Sequence, residues 1–248
     1  MNRYPKIEII DEAYEIPQLG RSRRISVLLP FDYDHTDKEY AVLYLHDGQN
    51  LFNEYAPYGN WAVDKALKLL ADHGYSDLIV VAIDHGGELR IKELLPYNTQ
   101  RFRESEGELY LNFMMHTLKP MIDSRYRVRK GRESTGIGGS SLGGLISLYA
   151  GFNFSSVFGK LMIFSPSLWV SNKIYHEAEF MNFHEPTTMY LYAGGMESPT
   201  HLQNVNKLNE ILVRKDNLTL RYVTNPEGKH QEVFWGEQFP MAVDFLYI

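Results

Sequence analysis

The sequence predicts an α/β protein: a mainly parallel central sheet of about eight strands with helices on both faces. Three observations carry this. Near-continuous apolar runs of strand length, Tyr40–Leu45 and Leu78–Ile83, have the pattern of strands covered on both sides, not the alternation of a half-exposed sheet. Such runs alternate with segments of helical period, as successive βαβ units require. The chain has 248 residues, 44% of them hydrophobic, which suits one large core better than two small ones.

The elements follow in order. Ile7–Ile10 and Arg23–Leu29 read as opening strands; Pro30, with no N–H for a ladder, and the polar turn Asp32–Asp37 stop the second. Tyr40–Leu45 runs straight into His46-Asp47-Gly48-Gln49-Asn50. A helix is expected from Asn60, with Val63, Leu67 and Leu70 on one face. Leu78–Ile83 leads into a long charged loop, Asp84–Gly107. Leu111, Met114, Met115, Leu118, Met121 and Ile122 then share one helical stripe. Thr135–Gly138, Lys160–Phe164, Met189–Ala193 and Leu218–Val223 are the remaining strands, and the aromatic, poorly periodic segment 165–187 is expected to form a small cap. Leu202, Val205, Leu208, Ile211 and Leu212 mark an amphipathic helix, and a terminal helix is expected over Phe239–Leu246. No repeat, low-complexity tract or linker interrupts the chain, so residues 1–248 read as a single domain.

Composition narrows the function. A net charge of −6 argues against a nucleic-acid partner, and the short basic clusters Arg21–Arg24 and Arg125–Arg132 read as solvated faces. The absence of cysteine removes disulfides, thiolate nucleophiles and Cys-based zinc sites. The first residues, Met1–Glu8, lack the apolar stretch of a secretory leader, and no apolar run approaches bilayer length. A cytoplasmic protein with no membrane partner is the expectation.

Thr135–Ala150 carries the chemistry. Gly139, Ser141 and Gly143 make Gly-x-Ser-x-Gly between a strand and an apolar helix, the spacing of a nucleophile elbow. A serine at the tip of such a turn is held in a strained backbone, and neighbours two residues away must lack side chains. The following helix aims its first amides and its positive dipole end at the same spot. A hydroxyl needs a base, and the order nucleophile, acid, histidine selects His230, in a Gly/Pro-containing turn after the last core strand. His201, at a helix start, and His176 and His184, in the irregular segment, are the alternatives. Glu197, just beyond Gly194-Gly195 at a strand end, is the candidate acid; its alternative reading is an acidic residue favouring a helix dipole. The oxyanion donors are expected to be the backbone N–H groups of Leu142 and Gln49. His46 and Asp47 lack the spacing of metal ligands, so neither a metal nor a cofactor is expected. Trp61, Trp169, Phe234 and Trp235 are candidates for lining a substrate pocket, although aromatics near a core most often simply pack there.

With these residues in place the chain resembles the putative-esterase branch of the α/β-hydrolase superfamily, the branch of enterochelin-type siderophore esterases, S-formylglutathione hydrolases, feruloyl and acetylxylan esterases and mycolyltransferases. The resemblance covers nearly the whole chain. It rests on Ile16-Pro17-Gln18-Leu19-Gly20-Arg21, Tyr44-Leu45-His46-Asp47-Gly48-Gln49-Asn50-Leu51-Phe52, Gly139-Ser140-Ser141-Leu142-Gly143-Gly144, Phe164-Ser165-Pro166-Ser167-Leu168-Trp169 and Gly228-Lys229-His230. It implies an α/β-hydrolase fold, a triad of Ser141, Glu197 and His230, and cleavage of a small-molecule ester. Asp84–Pro96 resembles the family's Arg-x-x-Glu-Tyr-x-Pro substrate loop through Arg90, Glu93 and Pro96, with Leu94 in place of the tyrosine. Arg90 is expected either to orient an anionic substrate group or to pair with Glu93 at helical spacing. The same triad would serve an acyltransferase, and the fold alone would serve an inactive binding protein.

Overall fold

The apolar runs become neighbours in one sheet. A computed structural model of the chain, describing residues 2–56 and 59–248, contains eight strands: β1 (Lys6–Ile16), β2 (Arg21–Leu29), β3 (Ala41–His46), β4 (Leu78–Ile83), β5 (Thr135–Ser140), β6 (Lys160–Phe164), β7 (Thr187–Gly194) and β8 (Leu218–Asn225). Their spatial order is β1-β2-β4-β3-β5-β6-β7-β8. β1, β2 and β4 pair antiparallel, and every pair from β4 to β8 is parallel.

Alternation within the continuous runs explains why both faces are covered. Val42 and Tyr44 of β3 and Ile79, Val81 and Ile83 of β4 enter one core, while Ala41, Leu43 and Leu45 and Leu78, Val80 and Ala82 enter the other. The first core is closed by α4 (Gly107–Phe113), α5 (Lys119–Arg125), α6 (Leu142–Asn153), α7 (Lys173–Phe180) and α8 (His201–Leu212). The second is closed by α1 (Gln49–Phe52), α2 (Val63–Asp72) and α9 (Glu232–Tyr247). A further short helix, α3 (Arg90–Leu94), lies in the charged loop after β4. No helix among the described residues is long and apolar enough to cross a membrane.

The departures from the sequence expectations have physical causes. β1 extends well beyond Ile10 because pairing with β2, not burial, holds it: Ile7 and Ile9 remain exposed at this sheet edge. α2 starts at Val63, after Asn60, because Asn60 Oδ1 accepts the Ala62 N–H at 2.6 Å and Ala62 is left-handed, with φ 53°. The 111–122 stripe is not one regular helix. Pro120 has no N–H for the His116 carbonyl, and the turn before it, Met114–Leu118, is wound as π helix. α9 begins before Phe239 and runs through Pro240, because Trp235, Phe239, Ala242, Val243 and Leu246 are buried along it.

A buried ion cluster fixes the loop after β4 to the sheet. Glu93, 2% exposed, receives Arg21 Nη1 at 2.8 Å and Arg23 Nη2 at 2.5 Å, both from β2, and Arg21 also reaches Glu106. Removing one partner of a buried pair leaves an uncompensated charge. Glu93→Ala should therefore cost about 3–5 kcal/mol in urea denaturation; a loss below about 1 kcal/mol would rank this cluster with surface ion pairs.

Candidate active site

The site forms at the C-terminal ends of the parallel strands, where an open α/β sheet gathers its loops. At the end of β5, Ser141 has φ 58° and ψ −119°, a sparsely populated conformation for a residue with a side chain. Close approach of strand and helix requires it. A Cβ on Gly139 would lie 3.0 Å from the Gly143 carbonyl carbon, and one on Gly143 would lie 3.1 Å from His46 Cβ. Two backbone bonds tie the turn to β6 and the loop after it: the Ser141 N–H donates to Phe164 O and the Ser167 N–H to Ser141 O, each at 3.0 Å. The Ser141 hydroxyl lies 3.1 Å from that of Ser167, its hydrogen-bond partner among the described residues.

Glu197, in the loop after β7, has a side chain only 1% exposed and meets several donors. His230 Nδ1, from the loop after β8, lies 2.5 Å from Oε2. The Ser165 hydroxyl and the Gly194 N–H donate to Oε1 at 2.5 and 2.7 Å. Burial pushes this carboxyl up, but the bonds from His230 and Ser165, the neighbouring His201 and the Gly194 amide outweigh it and hold the group below the usual range. Ser165 in turn accepts from Trp235 Nε1 at 2.9 Å, and the Trp235 ring stands edge-on to His230 at 4.9 Å between centroids. The close seating needs glycine at 194, where a Cβ would lie 2.8 Å from Glu197 Oε1 and 2.4 Å from the Gly228 carbonyl oxygen.

The turn after β3 brings Gln49 to the same edge, since β3 and β5 are parallel neighbours. Gln49 and Leu142 are the first residues of α1 and α6, and among the described residues neither amide donates to a backbone carbonyl. Arg90 does not pair with Glu93, three residues on. Glu93 is taken by Arg21 and Arg23, and Arg90 forks onto Asp47, Nε to Oδ1 at 2.6 Å and Nη2 to Oδ2 at 2.7 Å. Burial pushes the Asp47 carboxyl up, and the Arg90 charge and hydrogen bonds more than reverse this.

A cleft of about 370 Å³ opens over these groups, lined among others by Ser141, His230, Trp235, Arg90, Asp47 and Glu232. The other two tryptophans are not among its lining residues. Trp61 is 3% exposed and packs between Phe164 and Trp235, a core position. Trp169 is 54% exposed beside Phe102 and Arg101 on the segment before α7. Among the described residues no group of three His, Asp or Glu side chains is arranged to hold a metal ion.

Sequence reasoning missed Ser165, Ser167 and the place of His201. Ser165 is fully buried with φ 45°, and only the Phe164–Trp169 motif signalled it. His201 does start a helix, but it is 7% exposed, not a surface residue. Its Nε2 lies 3.1 Å from Glu197 Oε2, one turn earlier.

A strand-elbow-helix serine with a histidine-carboxylate pair at one sheet edge is the architecture of an α/β hydrolase. The comparisons agree. The BES protein of Bacillus cereus superposes with a TM-score of 0.81 at 22% identity, over 98% of this chain and 95% of that one. An IroE-like serine hydrolase from Shewanella oneidensis gives 0.77 at 19% identity, over 97% and 80%. The uncharacterized protein YbbA of Bacillus subtilis (strain 168) is 24% identical over 245 residues, 91% of this chain and 93% of its own. The profile of the family described as "Putative esterase" matches residues 16–246, so the chain belongs to that family and is a carboxylic-ester hydrolase.

Beneath the elbow, His46 is buried, its Nδ1 2.9 Å from the Tyr110 hydroxyl, and burial pushes its pKa down to about 4. The imidazole of an unfolded chain titrates near 6.5, so below that pH the unfolded state binds the extra proton and folding weakens as pH falls towards 4. The loss attributable to His46 is about 3 kcal/mol. Urea denaturation at pH 7 and pH 4.5 should show a smaller drop for His46→Gln than for the parent; equal drops would remove His46 as a source.

Proposed function

We propose that the protein hydrolyses carboxylic esters of small molecules by a serine mechanism, with Ser141 as nucleophile, His230 as base and Glu197 as its carboxylate partner. The observation that carries this reading is the 2.5 Å contact between His230 Nδ1 and the buried Glu197, on the same cleft as a serine in left-handed backbone. With Nδ1 engaged, the tautomer consistent with that bond leaves Nε2 to take a proton. The Ser141 hydroxyl turns from Ser167 to His230, loses its proton to Nε2 and attacks the ester carbonyl. The N–H groups of Leu142 and Gln49 then hold the tetrahedral oxyanion, each such donor being worth about 3–4 kcal/mol. His230 returns the proton to the departing alcohol, leaving an acyl-serine. Water gives a proton to the same nitrogen as it attacks, and collapse releases the acid while His230 returns that proton to the departing Ser141 oxygen. Trp235 and the cleft wall around Arg90 would contact the substrate, and no step requires a cofactor.

Ser141→Ala should lower turnover of p-nitrophenyl acetate by at least about 1,000-fold with the fold intact by circular dichroism. Activity within tenfold of the parent would assign the nucleophile elsewhere. Independently, a fluorophosphonate should add its mass to the peptide containing Ser141 and should fail to label the alanine variant; modification of a different serine would overturn the assignment.

A further inference from the structure

Arg90 lies in the cleft wall, yet its guanidinium is already committed. Two of its N–H groups run in parallel to both oxygens of Asp47, which is 6% exposed. Asp47 has φ 59°, an uncommon backbone for a residue with a side chain, and it immediately precedes Gly48-Gln49. The same carboxylate lies against the elbow: a Cβ on Gly143 would be 3.4 Å from Asp47 Oδ2. Two further ties hold the turn. The Gly48 N–H donates to Ile83 O at 2.8 Å, and Gln49 Oε1 accepts the His85 N–H at 3.0 Å. Behind Arg90, Glu93 fastens α3 to Arg21 and Arg23 of β2. A line of polar contacts therefore runs from the sheet through α3 to the turn that carries Gln49.

We infer that Arg90 is a positioning residue: its fork on Asp47 holds the 47–49 turn so that the Gln49 N–H meets the developing oxyanion, in place of receiving an anionic group of the substrate. The inference rests on the serine-esterase reading above. Without the fork, Asp47 would be a buried carboxylate lacking its counter-ion, in a backbone conformation that the loop holds only under constraint. The turn would relax and carry the Gln49 amide with it. A lysine at 90 would keep the charge but could not grip both oxygens in one plane.

The test compares kcat and KM for Arg90→Ala and Arg90→Lys on p-nitrophenyl acetate and on the anionic mono-p-nitrophenyl glutarate, with Ser141→Ala alongside. Positioning of an oxyanion donor predicts a kcat loss of about 30- to 100-fold for Arg90→Ala on both esters, with KM within about threefold. Arg90→Lys should lose about tenfold or more on both, and it carries the comparison if the alanine variant does not fold. Guanidinium at non-denaturing concentration should restore part of the folded Arg90→Ala rate and leave the parent unchanged. An unaltered kcat on the acetate, a loss confined to KM for the glutarate, or no rescue of a folded alanine variant would overturn the inference. An inactive Ser141→Ala beside fully active Arg90 variants would overturn this inference alone, whereas an active Ser141→Ala would remove the reading beneath it as well.

Discussion

The close approach of β5 and α6 at Gly139 and Gly143 is the constraint on which the rest of the site depends. Two backbones in van der Waals contact leave Ser141 little conformational choice, and its φ of 58° follows. Burial sustains the strain locally: all of β5 and nearly all of α6 are buried, and the Ser141 backbone is bonded to the end of β6 and to the loop after it. The His46 side chain occupies the remaining space under the turn, beside Gly139 and Gly143. A methyl group at either position would push against backbone or a fully enclosed ring, neither of which can give way cheaply.

The polar groups divide between those that are immobilised and those that face the cleft. The Glu197 carboxylate is enclosed, and its hydrogen bonds to His230, Ser165 and Gly194 replace the water it gave up. The His230 side chain is 39% exposed, so the half of the pair that faces solvent rests on a carboxylate held by three hydrogen bonds. Asp47 and Arg90 form a second such pair on the other side of the elbow, a buried carboxylate gripped by a less buried arginine, both lining the cleft. On the proposed mechanism this is preorganisation in the usual sense: dipoles are set before substrate arrives.

Much of this was legible in the sequence because it depends on local pattern. Leu78–Ile83 and Lys160–Phe164 have the bounds read from the sequence, since a strand covered on both faces is a near-continuous apolar run, broken in these two only by Lys160 at one end. Gly-x-Ser-x-Gly is a local motif, and the strand-to-helix turn is where the spacing indicates. Long-range contacts were not legible. Helical spacing suggested an Arg90–Glu93 pair, whereas Arg90 meets Asp47, 43 positions away, and Glu93 meets arginines about 70 positions away. Nothing in the local sequence distinguishes Trp61, enclosed between Phe164 and Trp235, from a tryptophan in a pocket. His201 looked like a helix-start surface residue because its sequence position does not show that it sits against Glu197 and the His230 ring, which comes from the loop after β8.

The hydrogen bond between the Ser141 and Ser167 hydroxyls has a kinetic consequence. On the proposed mechanism the Ser141 oxygen rests against a neighbour that cannot serve as a base, so each cycle would begin with the hydroxyl leaving Ser167 by rotamer exchange. Such rotamer exchange takes picoseconds to nanoseconds in exposed side chains, and Ser141 is only half-buried. On that mechanism the parked orientation would not limit turnover at ordinary enzyme speeds. On that mechanism it would keep the hydroxyl satisfied between cycles without slowing them.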